Sequence, residues 1–397
     1  MKDTSTRVET SESLKGTSRI LQRFHRSKLS RGNSQLLHLS RVERRGQVSR
    51  KGLLRSRQLR RPSQAFGDSV GPPLLFDLYV GVNLWQTINI TEVYALYGAE
   101  IITAAPSDSL SICLANIGSG TPFVSSLELR HIANHLAYQH TNQSAALVFH
   151  NWLTNFMLYW YPEDKYDRTW DPCNSYIIGC ETWKFTSSTL GIKTTRGDAY
   201  EVPGVVMGTA TVAADNFTLQ HSLGYGLNSS VQTTFYIYLH FADFDCLSGN
   251  GSRIFQVRAD GEPDSDNISP AYLLATHVHF VHRLAYPGLY GYFNLTRVAG
   301  STLPPILNAA EVYIPINLSV LATDRADADA MMGIKKLYQV KIWQGDPCAP
   351  QQFIWSGVNC TYSSSGTPRV TSLNLSYHGL NGAIPNTFAN LKALNYL

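Results

Sequence analysis

No run of eighteen or more apolar residues occurs in this chain of 397, so no segment reads as a membrane-spanning helix. The N-terminus has basic residues but not the apolar stretch that follows them in a secretory signal. Catalytic signatures are missing too: there is no G-x-x-x-x-G-K, G-x-S-x-G, H-E-x-x-H or C-x-x-C, and no protein-kinase motif. The glycines around Gly118-Ser119-Gly120 are not followed by a helical pattern and read as a turn. Acidic residues are scarce in one place only. Residues 1–61 hold 17 Lys/Arg against four Asp/Glu, while the rest holds 16 basic and 25 acidic residues, so the net +4 joins a basic head to an acidic body.

The head, residues 1–72, is Arg- and Ser-rich with isolated leucines and no sustained helical period. That composition fits a nucleic-acid or membrane-surface arm or a transit peptide. A disordered or non-native N-terminus is the expectation adopted for it. From Phe76 the pattern changes to short strands separated by turn residues: Phe76 to Val82, Glu100 to Thr103 and Ser109 to Ala115. Phe235-Tyr-Ile-Tyr-Leu-His-Phe241 is a strongly β-prone run, and Arg253 to Arg258 alternates in period 2. Ala271 to Val281 and Tyr290 to Thr296 continue the series. Thr323 to Tyr338 is the clear helix, with Asp in its first turn and Lys in its last.

Several clusters invite chemistry. Glu163, Asp164 and Asp167 lie within one turn beside Arg168 and Trp170. Glycosidic carboxylates must face each other across a sugar, which neighbours on a turn do not. An Asp–Arg pair stacked on an indole, pinning a linker, fits better. His277 and His279 share a strand face while His282 points away, and no Cys or carboxylate adjoins them in sequence to complete a metal site. An ordinary half-exposed strand is expected there, with no metal and no cofactor. The 21 Tyr, 16 Phe and 7 Trp suit either sugar platforms or sandwich cores, and cores need aromatics in any case.

Ten N-x-S/T acceptors, at Asn89, Asn142, Asn216, Asn228, Asn250, Asn267, Asn294, Asn317, Asn359 and Asn374, mark a secreted surface. Six cysteines agree with an oxidising compartment. Cys348 and Cys360 enclose a loop short enough to close as a disulfide. Near the C-terminus Val370, Leu373, Leu375, Leu380 and Ile384 fall with the spacing of a leucine-rich repeat. Leu394 and Leu397 restart it 24 residues later. One repeat cannot bury its own apolar face, so the chain is expected to stop inside a larger object.

Together with Gly345-Asp346-Pro347-Cys348, the stretch from about Phe76 to Leu307 resembles the malectin-like ectodomains of plant leucine-rich repeat receptor-like kinases, truncated at both ends. The resemblance spans roughly 320 of the 397 residues. It implies a mainly β fold: two malectin-like β-sandwich domains, the first incomplete, then a short helix and the capped start of a repeat solenoid. The boundaries expected are 73–160 and 161–320 for the two sandwiches, 321–342 for a helical linker and 343–397 for the cap and first repeat. Gly345, Asp346, Pro347 and Cys348 match the family's GDPC motif, and Asp167-Arg168-Thr169-Trp170 its inter-domain linker signature. Cys113 is expected to face a partner from the absent front half. Cys173 and Cys180 lie in a stretch that looks inserted relative to the family, and Cys246 is left over where the family carries an acidic residue. Their pairing stays open.

By the same resemblance the chain is an extracellular ligand-binding portion at the plasma membrane. It senses a cell-wall glycan or secreted peptide, with a co-receptor as a further partner and no nucleic acid. Membrane attachment and the Ser/Thr kinase would come only from C-terminal parts that it lacks, so no catalytic residue is expected. Animal malectin, similar in fold, binds a glucose disaccharide, but the resemblance assigns no ligand-binding residue here. The alternatives are a carbohydrate-active enzyme or lectin-like secreted protein, and a nuclear or organellar protein led by the basic arm.

Overall fold

A computed structural model describes residues 23–26, 35–40, 51–56, 74–91, 97–104, 109–124, 127–131, 138, 145–153, 162–164, 166, 168–170, 183–214, 217–222, 234–247, 250–259, 262–263, 265–284, 292–364, 366–376 and 381–397. The protein is mainly β, with one long helix among the described residues, and folds as two compact units. Residues 1–129, 142–146 and 317–397 form the first; 130–141 and 147–316 form the second. Residues 317–397, which hold the helix and the cap, fall in the same unit as the N-terminal strands.

In the first unit a five-stranded sheet runs in the order Arg23–Arg26, Gln35–Ser40, Ser109–Ser119, Leu74–Val80, Asn83–Ile90. Leu74–Val80 and Asn83–Ile90 form a hairpin closed by Gly81-Val82, and Gly81 takes the positive φ of 60° that a two-residue loop of this hand requires. Phe76, Leu78 and Ile88 are buried. Lys51–Ser56 pairs antiparallel with Ala99–Ala104, whose Ile101 and Ile102 are buried.

The sequence reading expected residues 1–72 to be disordered or non-native and the first sandwich to lack its front; within that stretch the described residues 23–26, 35–40 and 51–56 are strands. Three strands of the basic head enter sheets, and Leu36 stands opposite Cys113 in the register. The segments are short, and apart from the pairing of Arg23–Arg26 with Gln35–Ser40 their partners lie far along the chain, so no local period betrays them. Cys113 is a free thiol, and its Sγ donates to Gly81 O across 3.9 Å. Burial, with Asp346 adding to it, pushes the thiol up to about 12.

The helix Arg325–Tyr338 begins two residues later than its sequence pattern suggested. Asp324 caps it, accepting from the N–H groups of Ala326 and Asp327. Asp327 has a different task from neutralising the helix dipole: fully buried, it takes two hydrogen bonds from Arg369, at 2.8 and 3.0 Å, and one from Val370 N. Ala330, Met331 and Ile334 pack with Trp343, Cys348, Trp355, Val358, Val370, Leu373 and Leu391. No helix among the described residues is long and apolar enough to cross a membrane.

The Cys348–Cys360 disulfide is formed, with Cα atoms 5.9 Å apart. Beside it Asp346 accepts from the N–H groups of Thr323, Cys348 and Ala349 and from the Thr323 hydroxyl. Gly345, at φ +69°, turns the chain into this arrangement. The indoles of Trp343 and Trp355 stack at 4.8 Å, donating to Ser356 O and Gln344 O. Farther on, Ser372 makes a parallel bridge to Tyr396.

Replacing Asp346 with Ala strands these donors at a part-buried site. We expect a loss of about 2–3 kcal/mol, read as a lower denaturation midpoint of the first unit. Cys360→Ser should cost about 3 kcal/mol by loop closure and raise amide exchange chiefly over residues 343–376. Unchanged exchange there would show that the disulfide does not hold the cap.

Candidate functional site

In the second unit Thr276–Arg283, Thr234–Phe241 and Ala309–Asn317 are adjacent antiparallel strands. Period-2 geometry sends Phe235, Ile237, Leu239 and Phe241 into an apolar core. That core is shared with Phe255, Val257, Phe293, Leu295 and Leu219 of a second sheet. Phe241 meets Phe255 edge-on at 5.3 Å across it. The opposite face carries Tyr238 and His240, with Glu311 and Tyr313 from one neighbour and His277 and His279 from the other. His240 is directly opposite His277, and Tyr238 opposite both Glu311 and His279.

At its centre this polar face is as buried as the apolar one, with Tyr238, His240, Glu311 and Tyr313 all buried, while His277 is part-buried and His279 exposed. Arg168, 1 % exposed, donates through Nε to Asp164 Oδ2 at 2.7 Å and through Nη1 to Glu311 Oε1 at 2.9 Å. It also donates to Tyr138 Oη at 3.1 Å and Glu201 O at 3.1 Å. Its guanidinium lies 4.9 Å from the Trp170 ring, and Trp170 Nε1 donates to the same Asp164 oxygen at 2.7 Å. Glu311 Oε2 accepts from Tyr138 at 2.7 Å and Tyr313 at 2.5 Å, while Oε1 also receives His240 Nε2 at 3.0 Å.

Burial alone would raise the Glu311 carboxyl, but Arg168 and the His240 hydrogen bond outweigh it and hold the group down to about 2. Burial pushes the His240 imidazole down to about 4, against the pull of Glu311 and with His277 and Arg168 adding to the depression. Arg168 is desolvated, yet Asp164, Tyr138 and Glu311 raise it further. The Tyr138, Tyr238 and Tyr313 phenols are raised, burial leading in each. Both carboxylates are thus saturated by fixed donors with no exposed edge, an arrangement suited to fixing geometry instead of attacking a substrate.

The cluster holds the Asp–Arg pair beside an indole that its sequence reading expected. Asp164 is the buried partner of Arg168, Glu163 is exposed, and Asp167 lies outside the described residues. Thr276–Arg283 is the half-exposed strand expected, with His279, Val281 and Arg283 exposed and Phe280 and His282 buried, but His277 is part-buried, its Nδ1 2.8 Å from His240 Nδ1 and its Nε2 3.3 Å from Asp198 Oδ1. His279 stacks on Tyr238, and His282 points to the apolar side opposite Phe235. Among the described residues no three His, Cys, Asp or Glu side chains are placed to hold a metal ion.

Of the acceptors, Asn89, Asn250, Asn267, Asn317, Asn359 and Asn374 are exposed and Asn294 is half-buried. Asn142, Asn216 and Asn228 lie outside the described residues, as do Cys173 and Cys180. Cys246 is an exposed free thiol. Sequence reasoning passed over Tyr138, Asp198, Tyr200, His240 and Glu311. The available signal was a lone Glu inside the apolar run Ala309-Ala-Glu-Val-Tyr-Ile314, since a charge there demands a buried partner.

Arg168→Ala leaves two buried carboxylates uncompensated and should destabilise the second unit by about 3–5 kcal/mol. Arg168→Lys should recover only part of this, because a point charge cannot serve both carboxylates and the indole. Acid should also weaken the fold. The unfolded His240 protonates near 6.5 and the folded one near 4, so stability is full above that range and falls between them. Glu311 extends the loss from about 4.5 down to about 2. Denaturant midpoints from pH 7 to pH 3 check this, and His240→Gln should flatten the upper part.

Comparison with known proteins places this architecture. A family model described as the malectin-like domain matches residues 48–314, reaching into the head as far as its third strand. A probable LRR receptor-like serine/threonine-protein kinase of Arabidopsis thaliana is 34% identical over 327 residues, 80% of this chain and 36% of that protein. The LRR receptor-like serine/threonine-protein kinase IOS1 of Arabidopsis thaliana is 36% identical over 328 residues, 81% and 36% of the two chains. The chain thus spans about a third of the length of these curated relatives. In fold it is similar to the plant receptor-like kinase FER, with a TM-score of 0.56 at 14% identity over 72% of this chain and 81% of that one. A second FER structure, solved with the plant peptide RALF23 and LLG2, gives 0.55 at 14% identity over the same shares. This chain belongs to the malectin-like family, in the company of plant leucine-rich repeat receptor-like kinases.

Proposed function

We propose that this chain is ligand-binding ectodomain sequence of a receptor-like kinase, presented outside the plasma membrane and recognising a secreted peptide together with a co-receptor. The observation that carries the reading is the malectin-like match over residues 48–314 leading into a disulfide-closed cap. Beyond the cap, the parallel Ser372–Tyr396 bridge joins segments 24 residues apart, the spacing at which a leucine-rich repeat would add its next strand. FER, whose fold is shared, is seen with a peptide and LLG2, which favours a peptide over a cell-wall glycan as the ligand class. The exposed acceptors suit an N-glycosylated surface, and the oxidised Cys348–Cys360 pair suits the secretory pathway.

Two measurements test it. Secreted from plant cells behind a supplied leader, the chain should carry glycans on several of the six exposed acceptors, so that glycosidase treatment lowers its apparent mass in steps. Immobilised, it should retain members of a panel of secreted plant peptides saturably, and pectic and cellulosic oligosaccharides weakly or not at all. Retention of the oligosaccharides alone would move the ligand class to glycans; an unglycosylated product that binds neither panel sinks the ectodomain reading.

A further inference from the structure

The acceptor at Asn359 differs from the other exposed ones in what stands inside it. Its triplet is Asn359-Cys360-Thr361, so the middle residue is one half of the Cys348–Cys360 disulfide. All three residues lie on the strand Val358–Thr361. Period-2 geometry turns Asn359 and Thr361 outward, where both are exposed, and Val358 and Cys360 toward the core around Trp343 and Trp355. Antiparallel pairing sets Asn359 against Ser372, Cys360 against Val370 and Thr361 against Arg369. Thr371 Oγ1 donates to Asn359 O at 3.3 Å, and Asn374 N to Gly357 O at 2.7 Å. Sugar transfer engages the asparagine amide together with the hydroxyl two residues on, which is why the motif demands Ser or Thr there. Along an extended strand those two side chains leave the backbone about 7 Å apart, so the triplet must bend out of its ladder to react. Before the disulfide forms, only hydrogen bonds and packing hold it there. Afterwards Cys360 is bonded to the fully buried Cys348, and the middle of the triplet cannot leave the core. The reverse block does not operate, because a glycan on outward-facing Asn359 leaves the inward Cys360 Sγ able to reach Cys348.

We propose that closing the Cys348–Cys360 bond shuts the Asn359 acceptor, so that the glycan at this site is set by a race between sugar transfer and thiol oxidation. This rests on the ectodomain reading above, since passage through the secretory pathway supplies both reactions. In the first, the Asn359 amide nitrogen bonds to the anomeric carbon of a lipid-pyrophosphate-linked oligosaccharide. The bond from that carbon to the pyrophosphate oxygen breaks, and the amide gives up one proton. In the second, the Cys348 and Cys360 thiols pass two electrons and two protons to a disulfide carrier, which leaves as its dithiol. The chain delivers the competitors together: Cys348 is already made when Asn359 emerges, and Cys360 is the next residue. Ends separated by 12 residues meet in about 10–100 ns, so thiol oxidation and not chain diffusion paces the closure.

Expression of the full chain in plant cells behind a supplied leader tests this, with site occupancy read by mass spectrometry on the total intracellular product. Asn250 is the internal reference, because it lies in a turn outside any strand and has no cysteine in its triplet. In the unaltered chain Asn359 should be occupied less than about half as often as Asn250. Cys348→Ser keeps the triplet intact but removes the bond, and should raise occupancy at Asn359 about twofold or more with Asn250 unchanged. Dithiothreitol present during synthesis should do the same to the unaltered chain. Occupancy is read on chains whether or not they fold, so a misfolded variant still gives an answer. Full occupancy of Asn359 in the unaltered chain overturns the proposal, as does an occupancy that Cys348→Ser leaves unchanged while Asn250 is glycosylated. A chain bare at every acceptor sinks the ectodomain reading and the proposal with it.

Discussion

A guanidinium held at 1 % exposure must have its charge answered by fixed groups, and most of the second unit's polar side is arranged to answer Arg168. Asp164 meets it from four residues upstream, Glu311 from a strand 143 residues away, and Glu201 through its backbone. One side chain thus fixes the turn around Asp164, the strand Ala309–Asn317 and the start of the Glu201–Pro203 stretch. Such an ensemble gains little over a well-packed apolar one in net stability, because desolvation offsets most of the attraction. What it adds is specificity of arrangement, since the donors and acceptors match in one geometry only.

The first unit uses carboxylates in the same manner on a smaller scale. Asp346 gathers three N–H groups and a hydroxyl around the Gly345-Asp346-Pro347-Cys348 turn, and Asp327 gathers Arg369 and the Val370 amide at the helix start. In both, a short acidic side chain organises irregular backbone whose polar groups would otherwise be buried without partners. The covalent link between Cys348 and Cys360 then closes a loop that hydrogen bonds have already shaped.

Much of this was legible in the sequence, and the failures share a cause. Local patterns announced the strand Thr234–Phe241, the helix Arg325–Tyr338, the Cys348–Cys360 loop and the pinning role of Arg168 beside Trp170, because each is defined by residues near one another in the chain. The strands of the basic head were not legible. Gln35–Ser40 and Lys51–Ser56 contain few residues and join their sheets through the distant Ser109–Ser119 and Ala99–Ala104. Nor was the polar network: Tyr138, Asp198, His240 and Glu311 are scattered over more than 170 residues, and each alone looks like an ordinary surface or core position.

The strand Thr234–Phe241 is lined on both faces, phenyl and aliphatic groups on one and Tyr238 and His240 on the other. Sliding it by a single residue against either neighbour would deliver His240 into hydrocarbon and a phenyl ring onto the Arg168–Glu311 pair. Two incompatible solvents therefore proofread one ribbon. In a chain where β segments far apart must find each other, mispaired intermediates should be short-lived at this point, so the centre of the second unit acts as the alignment mark from which the outer strands take their register.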